Sequence, residues 1–285
     1  TVLVAVVDTG IDSNHTDLVS NYVHLGYDWV NSDSDPMDDN GHGTHCAGII
    51  AATINNSIGI AGLAQVRIMA EKALDQNGGG YEDDLANAII DAVNRGAQII
   101  SCSWGSTVPS ALIHDAITYA DSQGVLVIAA AGNTGSNTPH YPGAFDEVVA
   151  VTATDSSDLP ASFTTYGDWV DVAAPGVNIY STYPNNGYAT MSGTSMACPH
   201  AAGVAALIWS RFPNWTAKLV RYQLQYTSDD LGSVGLDQYY GNGRINAKNA
   251  VEQSQPNHDV VIANWQTPTQ YVKLGSQNII NITIF

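Results

Sequence analysis

Positive charge is scarce in this 285-residue chain: nine Lys and Arg stand against 27 Asp and Glu, a formal net charge of −18. Neutralising a phosphate backbone takes clustered cations, so a nucleic-acid-binding surface is excluded. Three cysteines are too few for a disulfide framework. No apolar run reaches the roughly 18 residues of a membrane span, and the longest candidate, residues 201–209, is about half that. Gly78, Gly79 and Gly80 are not followed by Lys-Ser/Thr, which removes a phosphate-cradling loop. There is no initiator Met and no signal peptide; residue 1 is Thr, and residues 2–7 already have a buried-strand pattern. The far end breaks off inside an apparent strand, residues 279–285. The chain therefore reads as a fragment of a longer precursor.

What is present is enough apolar material for a large core, with 45% hydrophobic residues, and 26 glycines for tight turns. Residues 2–7, 66–70, 97–103, 125–131 and 148–153 are short apolar runs, as expected of strands covered on both faces. Between them, residues 43–54 are small and apolar at helical spacing. Residues 82–95 place Leu85, Ile89, Ala92 and Val93 on one face, with acids at the start and Gly96 at the end. Residues 110–123 place Leu112, Ala116 and Ile117 inward and stop at Gly124. Strands alternating with helices predict an α/β fold, a three-layer, mostly parallel twisted sheet with helices on both faces. After Leu159 come short segments at 169–173 and 177–182, a long buried helix over 193–211 and another over 216–227. Near Pro256 the composition turns Val/Ile/Thr/Asn-rich without helical period. This predicts one domain over 1–255 and, over 256–285, a linker and the start of an appended β-sandwich-like domain.

In parallel sheets functional groups collect beyond the carboxyl ends of the strands. Asp8 ends the first strand, Ser103 ends the strand before Trp104-Gly105, and Asn133 follows 125–131 and Gly132. His42 and Ser195 each stand at a predicted helix start beside glycine, where developing negative charge is favoured. A serine hydroxyl needs a base to take its proton, His serves near neutral pH, and a buried Asp holds the His tautomer. An Asn amide is a good oxyanion donor. Other readings are poorer. Asp8-Thr9-Gly10 also matches the aspartic-protease triplet, but that chemistry needs two triplets on an all-β scaffold. His42 and His45 could ligate zinc, but the helix supplies neither a third ligand nor an adjacent acidic base. Ser195 lies in Gly193-Thr194-Ser195-Met196-Ala197, which is not the Gly-x-Ser-x-Gly elbow, and the order Asp, His, Ser differs from both α/β-hydrolases and chymotrypsin-like enzymes. Asp28, Asp33, Asp35, Asp38 and Asp39 crowd one stretch, either as a solvated acidic loop or as oxygen ligands for Ca²⁺.

Four motifs together, Asp8-Thr9-Gly10-Ile11-Asp12, His42-Gly43-Thr44-His45-Cys46-Ala47-Gly48, Ala131-Gly132-Asn133 and Gly193-Thr194-Ser195-Met196-Ala197-Cys198-Pro199-His200, resemble the subtilisin-like serine proteases, most of all their thermitase-type branch. The resemblance runs from residue 1 to about 252. It implies that Asp8 orients His42, that His42 is general base and acid, that Ser195 is the nucleophile, and that Asn133 with the Ser195 N–H forms the oxyanion hole. It implies that Gly78, Gly79 and Gly80 and Ser103, Trp104 and Gly105 pair with substrate backbone, and that the first specificity pocket is walled by Ser103, Trp104, Gly105, Ala130, Ala131 and Gly132. The pocket floor falls near His140, where the family carries a small residue; His140 either points away, shortens the pocket, or favours polar or acidic side chains. The Tyr141–Pro142 bond is expected to be cis.

Calcium is implied twice: at a strong site of Asp17, Asn56 and carbonyls near Thr53, Ile58 and Ile60, and at a weaker one of Asp28, Asp33 and Asp35. One ligand of the strong site would belong to an N-terminal segment absent from this sequence. Cys46 reads as a buried small hydrophobe near His42, and Met196 beside the nucleophile as oxidation-sensitive. The expectation is a secreted, monomeric endopeptidase made with a propeptide and acting on protein or peptide substrates. An inactive peptide-binding module and an acyl transferase or ligase are the rivals.

Overall fold

A computed structural model of the chain describes residues 1–252. Seven strands form one parallel sheet: β1 Leu3–Asp8, β2 Tyr27–Asp28, β3 Arg67–Lys72, β4 Ile99–Cys102, β5 Leu126–Ala130, β6 Val149–Thr154 and β7 Val172–Pro175, in the order β2-β3-β1-β4-β5-β6-β7. A separate antiparallel hairpin joins β8 Ile179–Tyr183 to β9 Gly187–Met191. The helices are α1 His42–Ala51, α2 Glu82–Asn94, α3 Ala111–Ser122, α4 Thr194–Arg211, α5 Ala217–Tyr226 and α6 Ala247–Glu252.

The continuous apolar strands are explained by two cores, because successive side chains leave a strand on opposite faces. Val4 and Val6, Ile99, and Leu126 and Ile128 pack with α1, α4, α5 and α6 on one face. Ala5 and Val7, Ile100, and Val127 and Ala129 pack with α2 and α3 on the other. This is the expected three-layer α/β architecture. Helix α4 runs through the first core; Pro199, its sixth residue, has no N–H to give Ser195 O, and that carbonyl accepts from Ser103 Oγ and Cys46 Sγ instead.

Most boundaries differ from the sequence expectation by a residue or two; the helix expected over 43–54 ends at Ala51 and the segment expected over 169–173 is strand only from Val172, each three residues off, and two features differ in kind. Leu112, expected inward, is 47% exposed, whereas Ile113 is buried with Ala116, Ile117 and Ala120. Those four residues follow the i, i+3, i+4, i+7 stripe, and Leu112 lies off it. Of the β8–β9 hairpin the sequence predicts only one short segment, 177–182. Its turn carries Asn185 and Asn186 at φ 64° and 58°, a mirror-image turn suited to hairpin twist. The Tyr141–Pro142 bond is cis. The β region expected over 256–285 lies outside the described residues.

Strand β3 buries two neighbouring charges toward opposite faces. Lys72 Nζ donates to Thr9 O at 2.9 Å, Asp39 Oδ1 at 2.6 Å and Leu74 O at 3.3 Å. Glu71 accepts from Trp29 Nε1 at 2.9 Å, and its other oxygen lies 3.8 Å from Arg95 Nε, which also pairs with Asp91. Burial pushes the Glu71 pKa from 4.5 up to about 8, and the Trp29 N–H only partly opposes this. A carboxyl whose folded-state pKa is raised stabilises the fold fully below pH 4.5, and that contribution is lost as pH rises through 8. Glu71→Gln is therefore expected to raise the Tm by several degrees at pH 9, and by little at pH 5. Equal shifts at both pH values in thermal scans would refute the burial argument.

Candidate active site

Strand β1 has β3 on one side and β4 on the other, so the chain's progress across the sheet reverses at β1. The crevice beyond its carboxyl end is where such sheets bind ligands. Asp8 closes β1 and is fully buried; its Oδ1 accepts from His42 Nδ1 at 2.7 Å and from Thr9 N at 2.8 Å. His42 is the first residue of α1. The two elements meet closely: a Cβ on Gly43 would lie 2.1 Å from Gly10 O, and one on Gly10 would lie 2.6 Å from Pro36 O. Only glycine fits either position, which gives the Asp-Thr-Gly and His-Gly-Thr-His motifs a steric reason.

Burial alone would lower the His42 pKa. The Asp8 carboxylate against Nδ1 outweighs it, and the pKa stands well above 6.5. Asp8 Oδ2 is buried and has no hydrogen-bond partner among the described residues. Cys46 Sγ lies 4.0 Å from His42 Nδ1 and donates to Ser195 O at 3.4 Å. Its thiol pKa is raised by burial, so it is a neutral neighbour. Asp8, His42 and Cys46 are the only grouping of three potential metal-ligating side chains of the His, Cys, Asp and Glu types among the described residues. His45 has no part in it. Its Nε2 lies 3.1 Å from both Ile179 O and Ala189 O, and burial lowers its pKa to about 4, so it serves as a neutral core donor.

Ser195 is the second residue of α4. Its Oγ donates to Ser103 O at 3.0 Å, and Ser103 Oγ donates back to Ser195 O at 2.9 Å. Among the described residues no hydrogen bond joins Ser195 Oγ to His42, although both line the same cleft of about 390 Å³. Such contacts tighten when substrate arrives. Asn133 lines it too. Its Oδ1 accepts from Thr194 N at 2.8 Å and Thr194 Oγ1 at 3.0 Å, which fixes the amide and leaves Nδ2 for another acceptor.

Gly78, Ser103, Trp104, Gly105, Ala130, Gly132 and His140 complete the cleft. Gly79 and Gly80 border an adjoining 330 Å³ pocket with Leu85, Ile113 and Tyr141. Ala131 is buried, and its N–H donates to Val151 O. The His140 ring lies between the walls: a Cβ on Gly105 or Gly132 would come within 2.7 Å of it. Burial lowers its pKa, and its buried Nδ1 has no hydrogen-bond partner among the described residues.

Asp17, Asn56 and Ile60 come together. Fully buried Asp17 accepts from Asn56 Nδ2 at 2.6 Å, Ile60 N at 3.0 Å and Tyr188 OH at 3.1 Å. Thr53 N donates to Asp17 O at 2.8 Å. Among the described residues no donor reaches the carbonyls of Thr53, Ile58 or Ile60. Asp28 and Asp33 exchange backbone hydrogen bonds. The Asp28 carboxylate accepts from Asn31, that of Asp33 from Asp35 N, and the Asp35 carbonyl from Met37 N. Asp38, grouped by sequence with a solvated or calcium-binding acidic stretch, is instead buried and hydrogen-bonded between Asp8 and α1, together with Thr9, which the sequence marks only as part of a motif.

A family model described as "Subtilase family" matches residues 1–243. The chain belongs to the subtilase family. It is accordingly a hydrolase of the serine-endopeptidase type. It is 48% identical over 250 residues to Thermitase of Thermoactinomyces vulgaris, covering 87% of this chain and 88% of that protein. It is 49% identical over 249 residues to a Thermophilic serine proteinase of Bacillus sp. (strain AK1), covering 87% of this chain but 61% of that protein. Subtilisin Savinase of Lederbergia lenta is 44% identical over 250 residues, 87% of this chain and 90% of that protein.

Proposed function

We propose that residues 1–255 of this subtilase form the catalytic domain of an extracellular, calcium-stabilised endopeptidase working through Asp8, His42 and Ser195, and that 256–285 begin an appended domain. The observation that carries this is the 2.7 Å bond from His42 Nδ1 to buried Asp8, at the wall of the cleft that holds Ser195 and Asn133. Ser195 Oγ attacks the scissile carbonyl carbon while His42 Nε2 takes its proton; Asp8 stabilises the imidazolium. The tetrahedral oxyanion is met by Asn133 Nδ2 and the Ser195 N–H. Its collapse breaks the C–N bond, and the amine leaves with the proton from His42. Water then repeats the sequence on the acyl-enzyme and frees Ser195. Substrate backbone lies between Gly78, Gly79 and Gly80 and Ser103, Trp104 and Gly105, as an added strand. The protein is proposed to act as a monomer, made as a precursor with a propeptide, on protein or peptide substrates.

Among the described residues no helix is long and apolar enough to cross a membrane. Asp17, Asn56 and the carbonyls of Thr53, Ile58 and Ile60 suit a hard cation, provided the Asn56 amide turns its oxygen toward Asp17. Bound calcium would supply only charge neutralisation and loop cross-linking. Asp28, Asp33 and Asp35 form a weaker candidate: carboxylates accept N–H groups at both sites, but here all three backbone carbonyls are also taken, whereas among the described residues those of Thr53, Ile58 and Ile60 are not.

A fluorophosphonate is expected to give one adduct, on Ser195, absent in Ser195→Ala. Its rate should rise with pH as the His42 imidazolium loses its proton, and Asp8→Asn should move that limb to lower pH. An adduct elsewhere, or none on the folded chain, would sink the triad. His140, closing the pocket between Gly105 and Gly132, is expected to disfavour large side chains. In His140→Gly, kcat/KM for Phe before the scissile bond should rise about tenfold relative to Leu; an unchanged ratio would remove His140 from the pocket. Chelation should lower the Tm of the parent chain and leave Asp17→Asn unaffected; equal losses would exclude Asp17 as a ligand.

A further inference from the structure

Asp38 stands in the acidic stretch 28–39, yet it is only 6% exposed and both its oxygens are occupied. Oδ1 accepts from Thr9 Oγ1 at 2.9 Å, Gly41 N at 2.8 Å and Asn40 N at 3.0 Å. Oδ2 accepts from Thr44 N at 2.9 Å and Thr44 Oγ1 at 2.6 Å. Helix α1 has no capping side chain at its own N-cap, which is Gly41. The Asp38 carboxylate supplies the missing acceptor, and its charge sits at the positive end of the helix dipole.

The other partner, Thr9, follows Asp8. Its N–H donates to Asp8 Oδ1 at 2.8 Å, and its Oγ1, while donating to Asp38, accepts from Gly43 N at 2.9 Å. The contacts close a ring. It runs from Asp8 through Thr9 to Asp38, from Asp38 to Gly41 and Thr44 on either side of His42, and from His42 Nδ1 back to Asp8. Its links are hydrogen bonds and the short backbone stretches 8–9 and 41–44 between them, so displacing one member moves both ends of the Asp8–His42 bond.

We propose that Asp38, acting through the Thr9 hydroxyl, is the positioning residue that sets the Asp8–His42 hydrogen bond. The inference rests on the reading of Asp8 and His42 as the catalytic pair. The carboxylate is well suited to the task. Five N–H and O–H donors converge on it, and an amide in its place would turn an NH₂ toward some of them. Thr9 is where the link can be cut with least damage. Valine keeps its shape but loses both the donor to Asp38 and the acceptor for Gly43 N, whereas serine keeps both.

The test uses the full 285-residue chain as parent, Thr9→Val, Thr9→Ser, Asp38→Asn and the Thr9→Val/Asp38→Asn double variant. Thermal unfolding, kcat and KM against pH, and the low-field proton NMR resonance of His42 Nδ1–H are measured on each. Thr9→Val is expected to fold, to lose about 10²-fold in kcat with KM changed less than about threefold, and to shift the resonance upfield. Thr9→Ser should recover most of both losses. Asp38→Asn should match Thr9→Val, and the double variant should be no worse than the poorer single. Parental kcat and resonance in Thr9→Val would overturn the proposal. So would activity lost with the resonance and pH profile unchanged, equal losses in Thr9→Val and Thr9→Ser, or failure of Thr9→Val to fold, each of which assigns the ring a merely structural role. A parent chain inert to fluorophosphonate would instead refute the triad, while the resonance would still report on Asp38.

Discussion

Taking the Asp8 carboxylate wholly out of water is the constraint on which the site depends. A buried anion must be answered by donors or it will not stay ionised. Here one oxygen takes the Thr9 N–H and the His42 ring N–H, and that choice dictates much else. Helix α1 has to start within reach of the end of β1, which requires glycine at positions 10 and 43. The loop before α1 then has to be anchored from beneath, and Asp38 and Lys72 both serve it. Lys72 ties Thr9, Asp39 and Leu74 into one set of contacts. The same proximity raises the His42 pKa, so the pair that builds the site also determines the pH at which its base is neutral.

The β8–β9 hairpin shows how a peripheral element fixes a central one. Ser181 Oγ donates to His45 O at 2.7 Å, Thr182 Oγ1 to Thr44 O at 2.8 Å and Tyr183 OH to Asn40 O at 2.9 Å. At its other end Tyr188 OH reaches Asp17, the carboxylate of the stronger candidate calcium site. His45, which in isolation suggested a metal ligand, is a donor to this hairpin. Burial keeps it neutral, outweighing the two carbonyls, which by themselves favour the protonated ring; the neutral ring still donates its Nε2–H to them.

Much of this was legible in the sequence. Apolar runs gave the central strands, because a strand covered on both faces has no polar positions to interrupt it. The 3.6-residue stripes gave α2 and α3, failing only at Leu112, where a neighbouring stripe lay one residue over. The hairpin and the short β2 were not legible. Neither buries enough apolar surface to leave a periodic trace; the hairpin is held by hydrogen bonds to helix α1 and β2 by pairing with β3, both distant in sequence. Asp8, His42, Asn133 and Ser195 were legible because strand ends and helix starts place side chains at a known edge of a parallel sheet.

By itself, then, the sequence determined which groups would stand at that edge, and through its four motifs which family they belong to. Period and glycine punctuation are local properties, written in neighbouring residues. Which acids would be buried and which solvated was decided only by the tertiary structure. Asp33 and Asp35 remain in water, while Asp38, three residues further on, lies beneath the site with five donors around it. Those donors come from residues 9, 40, 41 and 44, and only folding brings Thr9 to the other three.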